Sequence, residues 1–168
     1  MSEDPAVEAR RVIEVFWSPD PPDTPFPVDP VRVAKAMGLE VLEAVLESDV
    51  SGALVKEPGR DATILLAAGE SKRRQRFTCA HEVGHYMLRR AGTDETPYSF
   101  VDKRDGLSAE GTDPDERWAN AFAAELLMPE ATVKSWSGTY DDLEMAERFG
   151  VSSEAMNARL RSLQLAAV

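Results

Sequence analysis

Arg76-Phe77-Thr78-Cys79-Ala80-His81-Glu82-Val83-Gly84-His85-Tyr86-Met87-Leu88 contains both histidines of the 168-residue chain. On a helix, residues four apart lie about 40° apart around the axis and one turn apart along it, so His81 and His85 can converge on one ion. Glu82 stands roughly 100° round from His81, off the ligand line yet beside it. From there a carboxylate can reach a metal-bound water without ligating the metal, which is the general-base arrangement of an HExxH zinc site. Five residues are few, and by themselves they fit a helix with surface histidines equally well. The flanks decide: Phe77, Ala80, Val83, Met87 and Leu88 recur at helical spacing as an apolar side, with Thr78, His81 and His85 on another. Two histidines and a glutamate in a buried helix need partners, and a metal supplies one.

The length suits one domain able to bury roughly two-thirds of its unfolded surface. The formal charge of −11 and pI near 4.7 repel phosphates and anionic membranes and favour neutral or basic partners. Direct nucleic-acid binding and membrane association are therefore not expected. The acidic start, Met1-Ser2-Glu3-Asp4-Pro5, leads into no apolar signal-peptide core, no run approaches transmembrane length, and a cytoplasmic location is expected. Cys79, the single cysteine, agrees with a reducing compartment. Two residues before His81 it points about 200° away from that ligand, so it reads as a core thiol.

Ala6 to Trp17 has the pattern of a first helix. Ser18 to Pro30 holds six of the eleven prolines and reads as an irregular tether. Asp29-Pro30 is an N-cap and first turn, with Gly38 as the stop. Leu39 to Glu47 fits helix and strand about equally. Ala53-Leu54-Val55-Lys56 and Thr63-Ile64-Leu65-Leu66-Ala67 are β-type runs joined through Glu57-Pro58-Gly59-Arg60, a type II turn signature, so a hairpin is expected. An edge strand that takes an extended peptide is the alternative for this region. The metal helix runs from Ser71 to Arg90, and Lys72, Arg73, Arg74 and Arg76 read as its solvated face, with a substrate-steering patch as the alternative. Gly84, weak in a helix, points to close approach of another backbone. Thr93 to Gly111 is polar, with Tyr98-Ser99-Phe100-Val101 as a possible edge strand, and Asp113-Pro114 opens a helix stopped at Pro129.

A catalytic zinc takes three protein ligands and keeps one open position. No third histidine exists, so an acid must complete the set. Glu116 and Glu125 are nine residues apart, half a turn out of register, and cannot share a face. Glu116 has Asn120 one turn further on, where an amide can accept the second ring N–H of a zinc-bound histidine and fix the ring. Glu125 shares its face with Trp118, Ala121 and Phe122. Glu116 is the preferred ligand; its competing role is a capping box with Asp113.

Arg76-Phe77-Thr78-x-Ala80-His81-Glu82-x-Gly84-His85, followed by Glu116-x-x-Ala119-Asn120-x-Phe122-Ala123-Ala124-x-Leu126-Leu127-Met128-Pro129, resembles the ImmA/IrrE family of metallopeptidases. Pro27-Val28-Asp29-Pro30, Ser51-Gly52-Ala53 and Phe149-Gly150-Val151-Ser152 also look like family members, so the resemblance covers most of the chain. It implies a gluzincin-like, zincin-type fold with Zn2+ on His81, His85 and Glu116 and with Glu82 as base. It also implies a protein substrate, a helix-turn-helix transcriptional repressor whose cleavage relieves repression after stress. Many relatives carry a further histidine soon after the metal pair; Arg89-Arg90 stands here instead.

The remaining chain reads as three short helices: Glu130 to Trp136, Asp141 to Phe149, and Ser152 to Leu163 with Ser152 as N-cap. The last two, around Gly150-Val151-Ser152, have a helix-turn-helix look. Five acids against three arginines from Tyr140 on make a poor footprint for phosphates. The expected architecture is α+β and mainly helical. It comprises a metallopeptidase core over 1–128 with a small antiparallel sheet, and a C-terminal helical unit over 129–168. The expected activity is zinc-dependent endopeptidase; the alternatives are a non-proteolytic metal-binding sensor or a DNA-binding regulator using the C-terminal helices.

Overall fold

A computed structural model describes residues 4–20, 22–90, 97–103 and 113–165. The first helix, α1 (Pro5–Phe16), starts where the Asp4 carboxylate accepts from the N–H groups of Ala6 and Val7, and buries Ala9 and Val12. The tether after it is held by Trp17 Nε1 donating to the Pro25 carbonyl at 3.0 Å and by Arg32 donating to the Ser18 carbonyl at 2.9 Å. Phe26, from the tether, meets Trp136 and Phe149 edge-on at 5.5 Å each, so the N-terminal third is packed against the C-terminal helices. Asp29 caps α2 (Pro30–Ala36) through the N–H groups of Val31 and Arg32.

The ambiguous stretch after Gly38 is a strand, β1 (Glu40–Ala44), and is followed by β2 (Val50–Lys56) and β3 (Thr63–Ala67). β2 and β3 form the expected hairpin, with Val55 opposite Thr63. At its turn Gly59 has φ +69°, the sign a type II turn requires after Pro58, and the Arg60 N–H donates to the Glu57 carbonyl. The last strand, β4 (Tyr98–Lys103), pairs antiparallel with β2 at the sheet edge. Of the polar connection from Thr93 to Gly111, residues 93–96 and 104–111 lie outside the described residues.

The order β1-β3-β2-β4 is not the all-antiparallel sheet expected: β1 runs parallel to β3. The cause is geometric. Five residues reverse the chain between β1 and β2, and the hairpin then inserts β3 between them. β3, antiparallel to β2 by the turn, must run with β1.

On this sheet lies α3 (Lys72–Arg90), and across α3 lies α4 (Pro114–Leu127). The C-terminal helices are α5 (Glu130–Trp136), α6 (Asp142–Phe149) and α7 (Ser153–Ser162), close to the ranges read from the sequence. One buried apolar cluster takes in Val33, Ile64, Val83 and Phe122 together with Val133, Met145, Phe149 and Met156. Arg76 is not part of a solvated face. It reaches across to donate to the carbonyls of Val28 at 2.8 Å, Gly150 at 3.0 Å and Phe149 at 3.2 Å, tying α3 to both ends of the chain. Among the described residues no helix is long and apolar enough to cross a membrane.

Gly84 is where α3 meets α4. A Cβ there would stand 3.1 Å from the Ala119 Cα, tighter than ordinary packing, and a backbone cannot swing aside as a side chain can. Gly84→Ala is therefore expected to destabilise the protein by roughly 1 kcal/mol, overpacking of about 1–3 kcal/mol exceeding the ~1 kcal/mol of helix propensity gained. The urea midpoint of the two proteins checks this; an Ala variant of equal or higher midpoint contradicts the close approach.

Candidate metal centre

The fourfold spacing on α3 does bring the two imidazoles together, Nε2 to Nε2 at 3.0 Å. α4 supplies the third group: Glu116 Oε1 lies 3.0 Å from His85 Nε2 and Oε2 lies 3.3 Å from His81 Nε2. Glu116 can do this because it is free of the competing cap. Asp113 alone caps α4, accepting from the Asp115 N–H at 2.9 Å, and no capping box forms. Glu125, half a turn out of register, is buried on the other side of α4. There it binds Arg10 of α1 and Arg159 of α7, and accepts from the Glu130 N–H. Pro129, the N-cap of α5, has no side chain to cap it, and the Glu125 carboxylate does so from the preceding helix.

Asn120 stands one turn after Glu116, and its Oδ1 accepts from His81 Nδ1–H at 2.9 Å. With the proton held on Nδ1, the Nε2 lone pair is left facing His85 and Glu116.

His81, His85 and Glu116 each offer one ligand atom, all within 4.8 Å of one another. A tetrahedral shell with bonds of about 2.0–2.1 Å places neighbouring ligand atoms roughly 3.3 Å apart, so the observed spacings suit such an ion closely. Glu82 provides an independent sign. It is fully buried, and neither of its carboxylate oxygens has a hydrogen-bond partner among the described residues. An ionised carboxylate cannot remain so without a partner at low cost. In the metal-free protein burial pushes its pKa up to about 8, with Asp102 and Glu116 raising it further against the pull of His81. A cation and its water beside Glu82 would supply the missing partners.

The other titrations follow the same geometry. Burial lowers His85 to about 4, and the charge of His81 adds to that. Burial also pulls on His81, but the hydrogen bond to Glu116 and the carboxylates of Glu82 and Asp102 outweigh it and its pKa is raised. Glu116 is held below the usual carboxylate range, first by its hydrogen bond with His81. Cys79 is a buried thiol pushed up to about 12 by burial, inert and apart from the ligand set.

Two residues of the site were not singled out from the sequence, and both come from β4. Phe100 stacks on the His85 ring, centroids 4.8 Å apart and planes at 11°. Asp102 lies within charge range of His81, Glu82 and Glu116, has its pKa raised by burial, and stands 3.8 Å from the Arg74 guanidinium. The available signal was alternation: in Tyr98-Ser99-Phe100-Val101-Asp102, positions 98, 100 and 102 share one strand face.

Comparison with known families covers these residues. A family profile, the peptidase family described as the IrrE N-terminal-like domain, matches residues 34–161. The radiation response metalloprotease IrrE of Deinococcus radiodurans is 36% identical over 93 residues, 55% of this chain but 24% of that protein, so the chain spans about a quarter of that relative's length. An uncharacterized immunity region protein of Bacillus phage phi105 is 30% identical over 128 residues, 75% of each chain. The chain belongs to the IrrE N-terminal-like domain family of peptidases, the family its paired motifs resemble.

Proposed function

We propose that this protein is a zinc-dependent endopeptidase, with His81, His85 and Glu116 as metal ligands and Glu82 as general base. The observation that carries the reading is the buried, unpartnered Glu82 carboxylate beside three convergent donors. Bound zinc supplies Lewis acidity, lowering the pKa of a water and polarising the scissile carbonyl. Glu82 takes the proton of the attacking water as it adds to that carbonyl, and returns it to the amine nitrogen as the C–N bond breaks. Asn120 keeps His81 in the tautomer that leaves Nε2 free. Phe100 covers one face of His85 and keeps water from it.

The proposed substrate is a protein. Likeness to a metalloprotease of the radiation response and to a phage immunity region protein supports a helix-turn-helix repressor as its class. The C-terminal helices 129–168 serve in this reading as a unit packed on the peptidase body, and their acidic balance argues against a role on DNA.

The test is to incubate the zinc-loaded protein with the repressor encoded nearest its gene and to follow cleavage by gel and mass spectrometry. Cleavage is expected to stop with a chelator and to return on adding zinc. An intact repressor after long incubation, or cutting that persists in chelator, contradicts the proposal.

A further inference from the structure

α3 continues for a turn beyond the metal pair, and Arg89 follows His85 at the same spacing by which His85 follows His81. The three side chains thus lie along one line of the helix, drifting about 40° per step. Arg89 is exposed, and its guanidinium carbon sits 4.9 Å from the centroid of the Phe100 ring, the ring that stacks on His85. Tyr98, 5.8 Å from Phe100, extends the same aromatic wall. A cation in the last turn of a helix suits the dipole in any rotamer. The Phe100 ring, which itself stacks on His85, selects one rotamer.

The chemistry of that placement is specific. A guanidinium lying over an aromatic face keeps its N–H donors at its rim, in the fork that matches a carboxylate, with part of its side-chain freedom already lost before a ligand arrives. Two other arginines of α3 are committed to the fold: Arg74 faces Asp102 and Ser51, and Arg76 binds three carbonyls. Arg89 has its ring contact and no ion pair among the described residues. The only acid of the ligand set, Glu116, is turned to the imidazoles.

We propose that Arg89, stacked on Phe100, is a specificity-determining residue that receives an acidic side chain of the bound peptide close to the bond to be cut. This rests on the peptidase reading and narrows its substrates to segments with Asp or Glu near the scissile bond. The net charge of −11 makes the preference local. The protein as a whole repels acidic chains, and one fork admits one carboxylate.

The test uses zinc-loaded protein carrying Glu82→Gln, immobilised and exposed to a library of mixed-sequence octapeptides with acetylated and amidated ends, the retained peptides being sequenced by mass spectrometry. With Arg89 present, Asp and Glu are expected to be enriched about tenfold over Asn and Gln at one position, the size of a charge-assisted hydrogen bond. Arg89→Gln should abolish the enrichment and Arg89→Glu should replace it by Lys and Arg. The same profile in all three proteins, or no acidic preference with Arg89 present, overturns the proposal. Restoring Glu82 and adding the repressor separates the two claims: an acidic preference that depends on Arg89 in a protein that leaves the repressor intact upholds the subsite and rejects the peptidase.

Discussion

Glu82→Gln is expected to lower the cleavage rate by about 10²–10⁴-fold while zinc stays bound in full, the usual worth of a positioned general base. Gln keeps the size of the buried side chain and loses the lone pair that takes the proton. It touches none of the three ligand atoms, so metal content, measured on the same sample, should not move. The substitution also has a stability signature in metal-free protein. Glu82 in the folded chain titrates near 8, against an ordinary 4.5. The folded state therefore holds a proton that the unfolded state releases, and stability falls as pH rises between those values. Metal-free Glu82→Gln should melt above the metal-free parent at pH 7.5, and the gap should shrink towards pH 4.5. A gap independent of pH would show that Glu82 is not held without a partner.

The second large effect concerns Glu125, the other acid of α4, which lies away from the two imidazoles and binds Arg10 and Arg159. Glu125→Ala is expected to destabilise the fold by about 3–5 kcal/mol, because removing one member of a buried ion pair leaves the other uncompensated. Its side chain is 1% exposed and that of Arg159 10%. The same carboxylate holds Arg10 and the start of α5, so α1, α4, α5 and α7 all lose a shared anchor. Replacing both Glu125 and Arg159 by Met should cost far less than Glu125→Ala alone, since no buried charge is then left unpaired. Urea unfolding of the single and double variants checks both statements. A single variant within 1 kcal/mol of the parent would show the cluster to be well hydrated.

Much of the site is legible in the sequence, because its decisive relations are local. His81 and His85 meet through helical spacing, and the same rule, applied to Glu116 and Glu125, separates the carboxylate that joins the imidazoles from the one that anchors other helices before any tertiary contact is known. Asn120 follows from its place one turn after Glu116. What escapes is non-local. Arg76 belongs to a basic run that is charged in sequence, yet its partners are carbonyls 48, 73 and 74 positions away. Leu39 to Glu47 carries too few residues to set a period, and the neighbour that makes it a strand is β3, two turns further on, beyond β2. That pairing also makes the sheet mixed. Phe100 and Asp102 are ordinary members of a short strand until β4 is laid against β2, which brings them to α3. Local spacing thus marks out the cluster of His81, Glu82, His85 and Glu116, and the wall beside it depends on sheet order.

The most direct test of the two-helix centre is the zinc content of four purified proteins, the parent, His85→Ala, Glu116→Ala and Glu125→Gln, after equilibration with one stated concentration of free zinc. The parent and Glu125→Gln are expected to hold one zinc per chain, and His85→Ala and Glu116→Ala to hold almost none. Full occupancy in Glu116→Ala, or its loss in Glu125→Gln with the fold intact, would contradict a centre closed by the carboxylate of α4.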